Sequence, residues 1–500
     1  MTTIRKQSII SSSVVYIGMV LGVLTNYLLA REFSPDQYGL ISGMFVAIGT
    51  VMFCLASVGT INVVGKFYPY YQENLPPEKN DLGTLALLVS LGGFLLTLVL
   101  GLLLKGQVVR FYQGKSGELV RYYYWLFPFG LGMTFFAVLE QYAWQVKRSI
   151  LTNYLREIQV RLTTLVLIIL YLTGVLGSFS VFVKLYAFNF LLVSAVLFVV
   201  LIRSGQLRLV FSVSRVTKKF FPKIRSLALL GWGGSVLFNL AFYFAQIIIA
   251  GVVAGGLTAV GIFQLAQFGA SLIQAPQRGV ASASMGPLAK AWKDKDFGRI
   301  DRIYKRSSIN QLIFSIGMFV LIWINYRDGI NTLHLNQDYL FGQSAFLFIG
   351  LARIVDLGTG VNSQIIYTSV DYRVEILSGI VLVVLTIPLN YWMAKKIGLT
   401  GPAIADLITF IIYNGIRCVF LYRKYKLQPF SRQTLSALLL GLVIYFICYL
   451  LFGQLTGLFW ILIRSMVFVA LYGGGVLIFR LSEDIVPVWR TIKKRLGLPV

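Results

Sequence analysis

Apolar runs of about 20 residues recur from one end of this chain to the other, and nothing else in it limits the fold so strongly. At about 1.5 Å of rise per residue, each run is long enough to cross a hydrocarbon core of about 30 Å as a helix. Lipid offers no hydrogen-bond partners, so a spanning segment must satisfy its own backbone, which an α-helix does. The 500 residues have a mean hydropathy of +0.76, and only 13% are charged. Soluble domains carry about 25% charged residues, so this chain cannot cover a water-facing surface in the usual way. The expected fold is an all-α polytopic membrane protein.

The runs are expected to form about fourteen spans, at 8–30, 38–64, 84–104, 120–146, 161–177, 180–202, 226–251, 257–280, 309–325, 340–368, 374–394, 401–422, 434–454 and 458–479. An even number puts both termini on one side. The chain carries 45 Lys and Arg against 19 Asp and Glu. With both ends cytoplasmic, 33 basic residues fall in inner segments and 9 in outer ones, counting span-end residues with the loop they adjoin. That asymmetry is the positive-inside bias, and it accounts for the net charge of +26 without nucleic acid. Arg5 and Lys6 precede the first apolar run, which continues to Ala30 with no small-residue cleavage site, so it reads as an uncleaved span.

Several chemistries are excluded as expectations. Cys54, Cys418 and Cys448 all lie in apolar runs, with neither disulfide nor zinc spacing. His334 is the lone histidine, so no histidine cluster can hold a metal. The longest loops, near 65–83, 203–225 and 281–308, are too short to bury a core of their own. No phosphate-binding glycine loop is present. The chain is therefore expected to be no enzyme, to need no cofactor and to have no ATP-driven step of its own.

Residues 11–53 and 231–273 share a layout. A polar helix leads into a short turn, and a glycine opens the next helix: Gly39 in the first copy and Gly261 in the second. Odd spans pair with odd spans, so the copies run in the same direction, which implies parallel repeats about an axis along the membrane normal. The expected organisation is a six-helix lobe at 1–204, a second at 205–430, and two further helices with a basic tail at 431–500. Gly18-x-x-x-Gly22, Gly39-x-x-x-Gly43, Gly251-x-x-x-Gly255 and Gly473–Gly475 are expected at close helix contacts.

Polar residues inside the spans mark the candidate site. Gln264, Gln267, Ser271, Gln274 and Arg278 recur at steps of three and four, which places them on one helical face. Unpaired amides are costly in lipid, so this face should meet protein or water. One helix contact needs fewer such residues, and a hydrated cavity is expected. Ser235, Asn239, Tyr243 and Gln246 form a companion face on the preceding span. Ser8, Ser12 and Asn26 on the first span, with Ser57 and Asn62 on the second, add to it. Amides and hydroxyls can bond sugar hydroxyls, and Trp232 and Tyr243 could stack on a sugar ring.

Arg353 and Asp356 stand at i, i+3 in the tenth span and can pair with each other, while Asn362 and Gln364 keep that span polar. Asp406 and Arg417 share a face three turns apart. Glu140 and Arg464 lie near span ends, where they can snorkel. Arg278 and Arg353 suit an anionic cargo best, because a guanidinium grips phosphate oxygens in a planar fork.

The stretches REFSPDQYGL at 31–40, GLTAVGIF at 256–263, IGLTGPAIA at 397–405, Tyr413-Asn414 and YRKYKLQPF at 422–430 resemble the polysaccharide or O-antigen flippases of the multidrug/oligosaccharidyl-lipid/polysaccharide exporter superfamily. The resemblance spans most of the chain. It implies two six-helix lobes with two extra helices, a central cavity and alternating access. It also implies an undecaprenyl-pyrophosphate-linked oligosaccharide as cargo, a bacterial plasma-membrane location, and a glycan polymerase or ligase among the partners besides membrane lipids. Two alternatives stay open: a cation-coupled multidrug exporter, and a membrane-embedded glycan polymerase or ligase. The first span lacks the carboxylate some drug antiporters use, and the first two lack the arginines expected of a lipid II flippase. The outer loops near 105–119 and 326–339 are short for acceptor chemistry.

Overall fold

The computed structural model describes residues 3–484, with side chains from residue 13 onward. Ser8, Ser12 and the basic tail beyond residue 484 lie outside the described side chains. Every regular element among the described residues is helical. Contacts divide the chain into two compact units, Met1–Gly261 and Ile262–Val500. The division at 204–205 expected above follows the repeat along the chain and is a separate partition.

The first unit holds eight principal helices. They are α1 (Thr3–Glu32), α2 (Pro35–Ser57), α3 (Thr60–Asn74), α4 (Leu82–Tyr112), α5 (Leu126–Gln145), α6 (149–172), α7 (Phe179–Arg203) and α8 (Arg215–Val252). A π-turn at Gly39–Phe45 widens α2, and another at Tyr154–Gln159 widens α6. The unit's core joins Phe67 and Tyr71 of α3 with Leu139 of α5 and Leu197 and Leu201 of α7. Asp81, just before α4, fixes the start of α8: its Oδ2 accepts from Ser214 N at 2.9 Å and from Thr217 Oγ1 at 2.8 Å. The loop expected at 203–225 is therefore helical from Arg215.

α9 (Gly256–Ile273) carries the division between the units. Its first turns belong to the first unit and cross α2 backbone to backbone. An added Cβ on Gly39 would lie 2.7 Å from Gly261 N, and one on Gly261 would lie 3.2 Å from Gly39 N. The two glycines that open the repeated helices thus meet each other, because only a residue without Cβ permits that approach. The Gly18-x-x-x-Gly22 notch receives the side chains of Glu157 and Arg161 from α6.

The second unit continues with α10 (Gln277–Lys293), α11 (Phe297–Thr332), α12 (Gly342–Gly358), α13 (Asn362–Thr368), α14 (Tyr372–Ile397), α15 (Thr400–Tyr425), α16 (Arg432–Phe452) and α17 (Leu458–Ile478). One core packs Ile313 and Ile316 of α11 on Ile444 of α16 and Phe468 of α17. Another gathers Leu288, Tyr304, Ile365 and Leu421 from α10, α11, α13 and α15.

Three spans expected as continuous are broken. The helix expected over 38–64 stops at Ser57 and restarts at Thr60, with Val58 and Gly59 both at positive φ. The helix expected over 257–280 stops at Ile273 and restarts at Gln277. Pro276 has no N–H to give, and its ring disfavours helix at the residue before it. The helix expected over 340–368 stops at Gly358 and restarts at Asn362. Gly360 turns the chain there with φ of +65°, a value that favours glycine, and it lies against Ser307 and Ser308 of α11. Among the described residues, twelve helices are long and apolar enough to cross a membrane. The other two expected spans correspond to α5, which is helical throughout, and to α6 with its π-turn.

Candidate functional site

The break after α12 concentrates polar groups that a continuous helix would spread along its length. Thr359 and Asn362, on either side of the turn, both reach Asn414 of α15. Thr359 Oγ1 lies 3.0 Å and Asn362 Nδ2 2.9 Å from Asn414 Oδ1. The Asn414 amide then donates to Asp356 Oδ1 at 3.1 Å. The other oxygen of Asp356 accepts from Gln277 Nε2 at 2.7 Å. Two broken helices and α15 therefore converge on one carboxylate. Buried polar groups need such partners, and Asn362 and Asn414 are all but inaccessible.

Arg353 stands one turn before Asp356 on α12. Its residue surface is 7% exposed, and its Nε is buried without a partner. Among the described residues the guanidinium makes no hydrogen bond and no ion pair within 4 Å. It lies over the Phe410 ring of α15, 5.2 Å from the centroid, and feels the charges of Asp356 and Asp406 at longer range. The i, i+3 pairing expected of Arg353 with Asp356 is not made, because Gln277 and Asn414 already hold the carboxylate.

Arg417, two turns after Phe410 on the same α15 face, shows what a satisfied arginine looks like here. Its Nε donates to Ser378 Oγ at 3.1 Å, its NH2 pairs with Glu375, and its guanidinium lies 3.7 Å from the Tyr413 ring centroid. Glu375 also accepts from Ser363 Oγ at 2.8 Å. Asp406 has one amide donor, Asn390 Nδ2 at 3.2 Å. The face Asp406, Phe410, Tyr413, Asn414 and Arg417 therefore carries most of the cluster.

The other expected site residues are distributed differently. Gln264, Gln267 and Ser271 keep one face of α9, half-buried except for Ser271, which is exposed. Gln274 falls in the turn after α9, and Arg278 lies exposed on α10. The five do not share one helix, because Pro276 ends it; Gln277, one residue before Arg278, is the side chain delivered to Asp356.

In the first unit, the companion face of α8 packs on α2. Trp232 Nε1 donates to Leu55 O at 3.1 Å, and Ser235 Oγ approaches Cys54 Sγ at 3.7 Å. Tyr243 lies beside Thr50, and Asn239 donates to its own helix at Ser235 O, 2.9 Å away. Gln246 is buried. Asn26 accepts from the Tyr38 hydroxyl at 3.1 Å, and Ser57 donates to Cys54 O at 3.1 Å.

The two charges near span ends, where snorkelling was open to them, are both paired. Glu140 accepts from Arg156 at 2.5 Å, and Arg464 holds Asp328 at 3.0 Å while donating to the Ile324 and Leu455 carbonyls. Each has its partner on a neighbouring helix. Asn414, Thr359, Gln277 and Phe410 went unrecognised as site residues. Asn414 and Phe410 had one signal in the sequence, the shared α15 face, while Thr359 and Gln277 reach Asp356 only through the breaks at Gly360 and Pro276.

No protein-family model and no curated protein matches the chain. Solved structures do. The lipid II flippase MurJ, in an inward closed conformation, superposes with a TM-score of 0.74 at 16% identity, covering 96% of this chain and 100% of that one. An inward-facing multidrug resistance MATE family transporter of the MOP superfamily gives 0.63 at 15% identity, covering 83% and 99%. A Vibrio cholerae MATE transporter gives 0.53 at 11% identity, covering 85% and 99%. The chain has the fold of these transporters. It is a multi-pass helical membrane protein, and all three likenesses cover more than four-fifths of it. At these identities the likeness speaks for the fold alone, and cargo has to be argued from residues.

Proposed function

We propose that this protein is a flippase that moves a lipid-linked oligosaccharide carrying a pyrophosphate across the plasma membrane by alternating access. The observation that carries this reading is Arg353. A guanidinium held within a span, nine-tenths buried and without a hydrogen bond is expensive unless a ligand completes it. Its five N–H donors fit phosphate oxygens in bidentate geometry. Arg417 is consumed by Glu375 and Ser378, so among the described residues of this cluster Arg353 is the cation available to an anionic cargo. Undecaprenyl pyrophosphate as the carrier, polysaccharide synthesis as the setting and cytoplasmic termini follow from the sequence resemblance and the charge bias of the loops.

A second reading is favoured by Asp406. A carboxylate with one amide donor can exchange a cation, as a cation-coupled multidrug exporter requires. One set of strains separates the two. In a deletion strain complemented with wild type or Arg353→Ala, surface polysaccharide, membrane protein level and drug susceptibility are measured. The flippase reading expects polysaccharide to be lost with Arg353→Ala at normal protein level, and drug susceptibility to stay unchanged. Broad drug sensitisation with intact polysaccharide would overturn it in favour of the exporter.

A further inference from the structure

Outside the polar cluster, the first unit contains a cavity of about 340 Å³ between α4, α5 and α7. Leu87 and Leu91, Phe135, Leu191 and Phe198 wall it from the helices, and Leu209 and Phe211 from the segment after α7. The two hydroxyls on the wall are already engaged. Thr84 Oγ1 accepts from Val210 N at 2.8 Å, and Ser194 Oγ donates to Leu191 O at 2.9 Å. The cavity therefore offers no polar group to a ligand and suits a hydrocarbon chain.

The segment that closes the cavity also closes a second, polar one. Gly205, Gln206 and Arg208 line a space of about 430 Å³ with Gln72, Asn80 and Lys147. Arg148 Nε donates to Gln206 Oε1 at 3.0 Å and adds its charge to the same segment. Arg208 pairs with Glu78, but both side chains are about half exposed, and such a surface pair yields readily to a stronger anion. Phe211, three-quarters exposed and three residues after Arg208, lines the apolar cavity.

An apolar recess followed within three residues by a basic one matches the two ends of a phospholipid. We propose that the first unit binds an anionic glycerophospholipid, with one acyl chain in the apolar cavity and its phosphate at Lys147 and Arg208. Within a bilayer the cavity alone selects nothing, since every lipid tail is as apolar as leucine. Selectivity comes from the headgroup, which the basic residues attract near the membrane surface. This lipid is a resident ligand, separate from the proposed cargo, and the assignment does not depend on the flippase reading.

The test uses the full chain in nanodiscs of phosphatidylcholine with or without phosphatidylglycerol, followed by native mass spectrometry. Wild type is expected to retain one phosphatidylglycerol at least fivefold over phosphatidylcholine. Lys147→Glu with Arg208→Glu removes that preference, and Ala195→Trp, which fills the cavity, removes retention. A phosphatidylglycerol with a diazirine on one acyl chain tests wild type without any variant. Crosslinks concentrated in 84–91 and 191–198 are expected. Crosslinks spread evenly over the lipid-facing helices, or retention unchanged in both variants, overturn the proposal. Displacement of the lipid by an equimolar polyprenyl pyrophosphate overturns it too, because the recess would then belong to the cargo.

Discussion

The Gln277 side-chain amide donates a 2.7 Å hydrogen bond to Asp356 and so takes the carboxylate that Arg353, one turn earlier, would otherwise hold. Asn414 takes the other oxygen. A short-range ion pair on one helix is thereby exchanged for bonds between three helices, and among the described residues the buried arginine is left with the Phe410 ring and no hydrogen bond. Structural stability gives no reason for such an arginine, whereas anion binding does.

Arg353→Met should therefore raise stability while abolishing transport. Removing an unsatisfied buried group recovers a desolvation cost of about 1–3 kcal/mol. Methionine keeps the length of the chain over the Phe410 ring. Thermal unfolding of the detergent-solubilised protein, read beside the polysaccharide assay, checks both halves. A variant that unfolds earlier than wild type would mean that Arg353 is a structural residue.

Arg464 and Asp328 should behave in the opposite way. Both are about 6% exposed and lie 3.0 Å apart, so either one alone becomes an uncompensated buried charge. Asp328→Ala is expected to cost about 3–5 kcal/mol. Asp328→Ala with Arg464→Leu should recover a large part of it, since the charge left behind is then gone. Transport per folded molecule should be unchanged in the double variant. Unfolding midpoints of the two single variants and the double variant provide the comparison.

The helices were legible in the sequence because lipid imposes a length and a composition on every crossing. The apolar runs and the final helices agree closely at 434–454 and α16, or at 458–479 and α17. The site was legible in its parts and not in its assembly. Arg353, Asp356, Asp406 and Arg417 stand out as charges in apolar runs, and their helical faces follow from spacing. What spacing cannot show is a change of register. Pro276 follows the end of α9, and Gly360 turns the chain after α12 at a positive φ, so face arithmetic does not carry through either break. The partners of Arg464 and Glu140 depend on which helices are neighbours, and that is set by packing over the whole unit.

Asp371, in the turn between α13 and α14, predicts an acid limb. Hydrogen bonds from Lys424 at 2.7 Å and from Tyr425 hold its carboxyl below the usual carboxylate range. A depressed value means that the folded state favours the ionised form. The contribution is therefore complete above the unfolded value of about 3.9 and is lost as pH falls through the folded one. Lys424 is nearly half exposed, so the effect should be no more than about 1 kcal/mol. Unfolding midpoints from pH 7 to pH 3 should fall more steeply below pH 4 for wild type than for Asp371→Asn. Parallel curves would remove the clasp from the account.

Asn414 gives the sharpest test of the cluster as a unit. Its amide joins Thr359 and Asn362 on one side to Asp356 on the other, so Asn414→Leu strands the Asn362 amide and one carboxylate oxygen and leaves the Thr359 hydroxyl only the Asp356 carbonyl. Each unsatisfied buried group costs about 1–3 kcal/mol, which makes this the most damaging single change in the cluster. Thr359→Val removes the hydroxyl's bonds to Asn414 and to the Asp356 carbonyl of its own helix and should cost less. Both single variants lose the Thr359–Asn414 bond and the double variant loses it once, so the two losses should sum to more than the measured total, by about 0.5–3 kcal/mol. A double-mutant cycle on unfolding free energy measures that coupling. Additive losses would mean that Thr359 and Asn414 are separate local contacts, and that the break after α12 does not organise the site through Asn414.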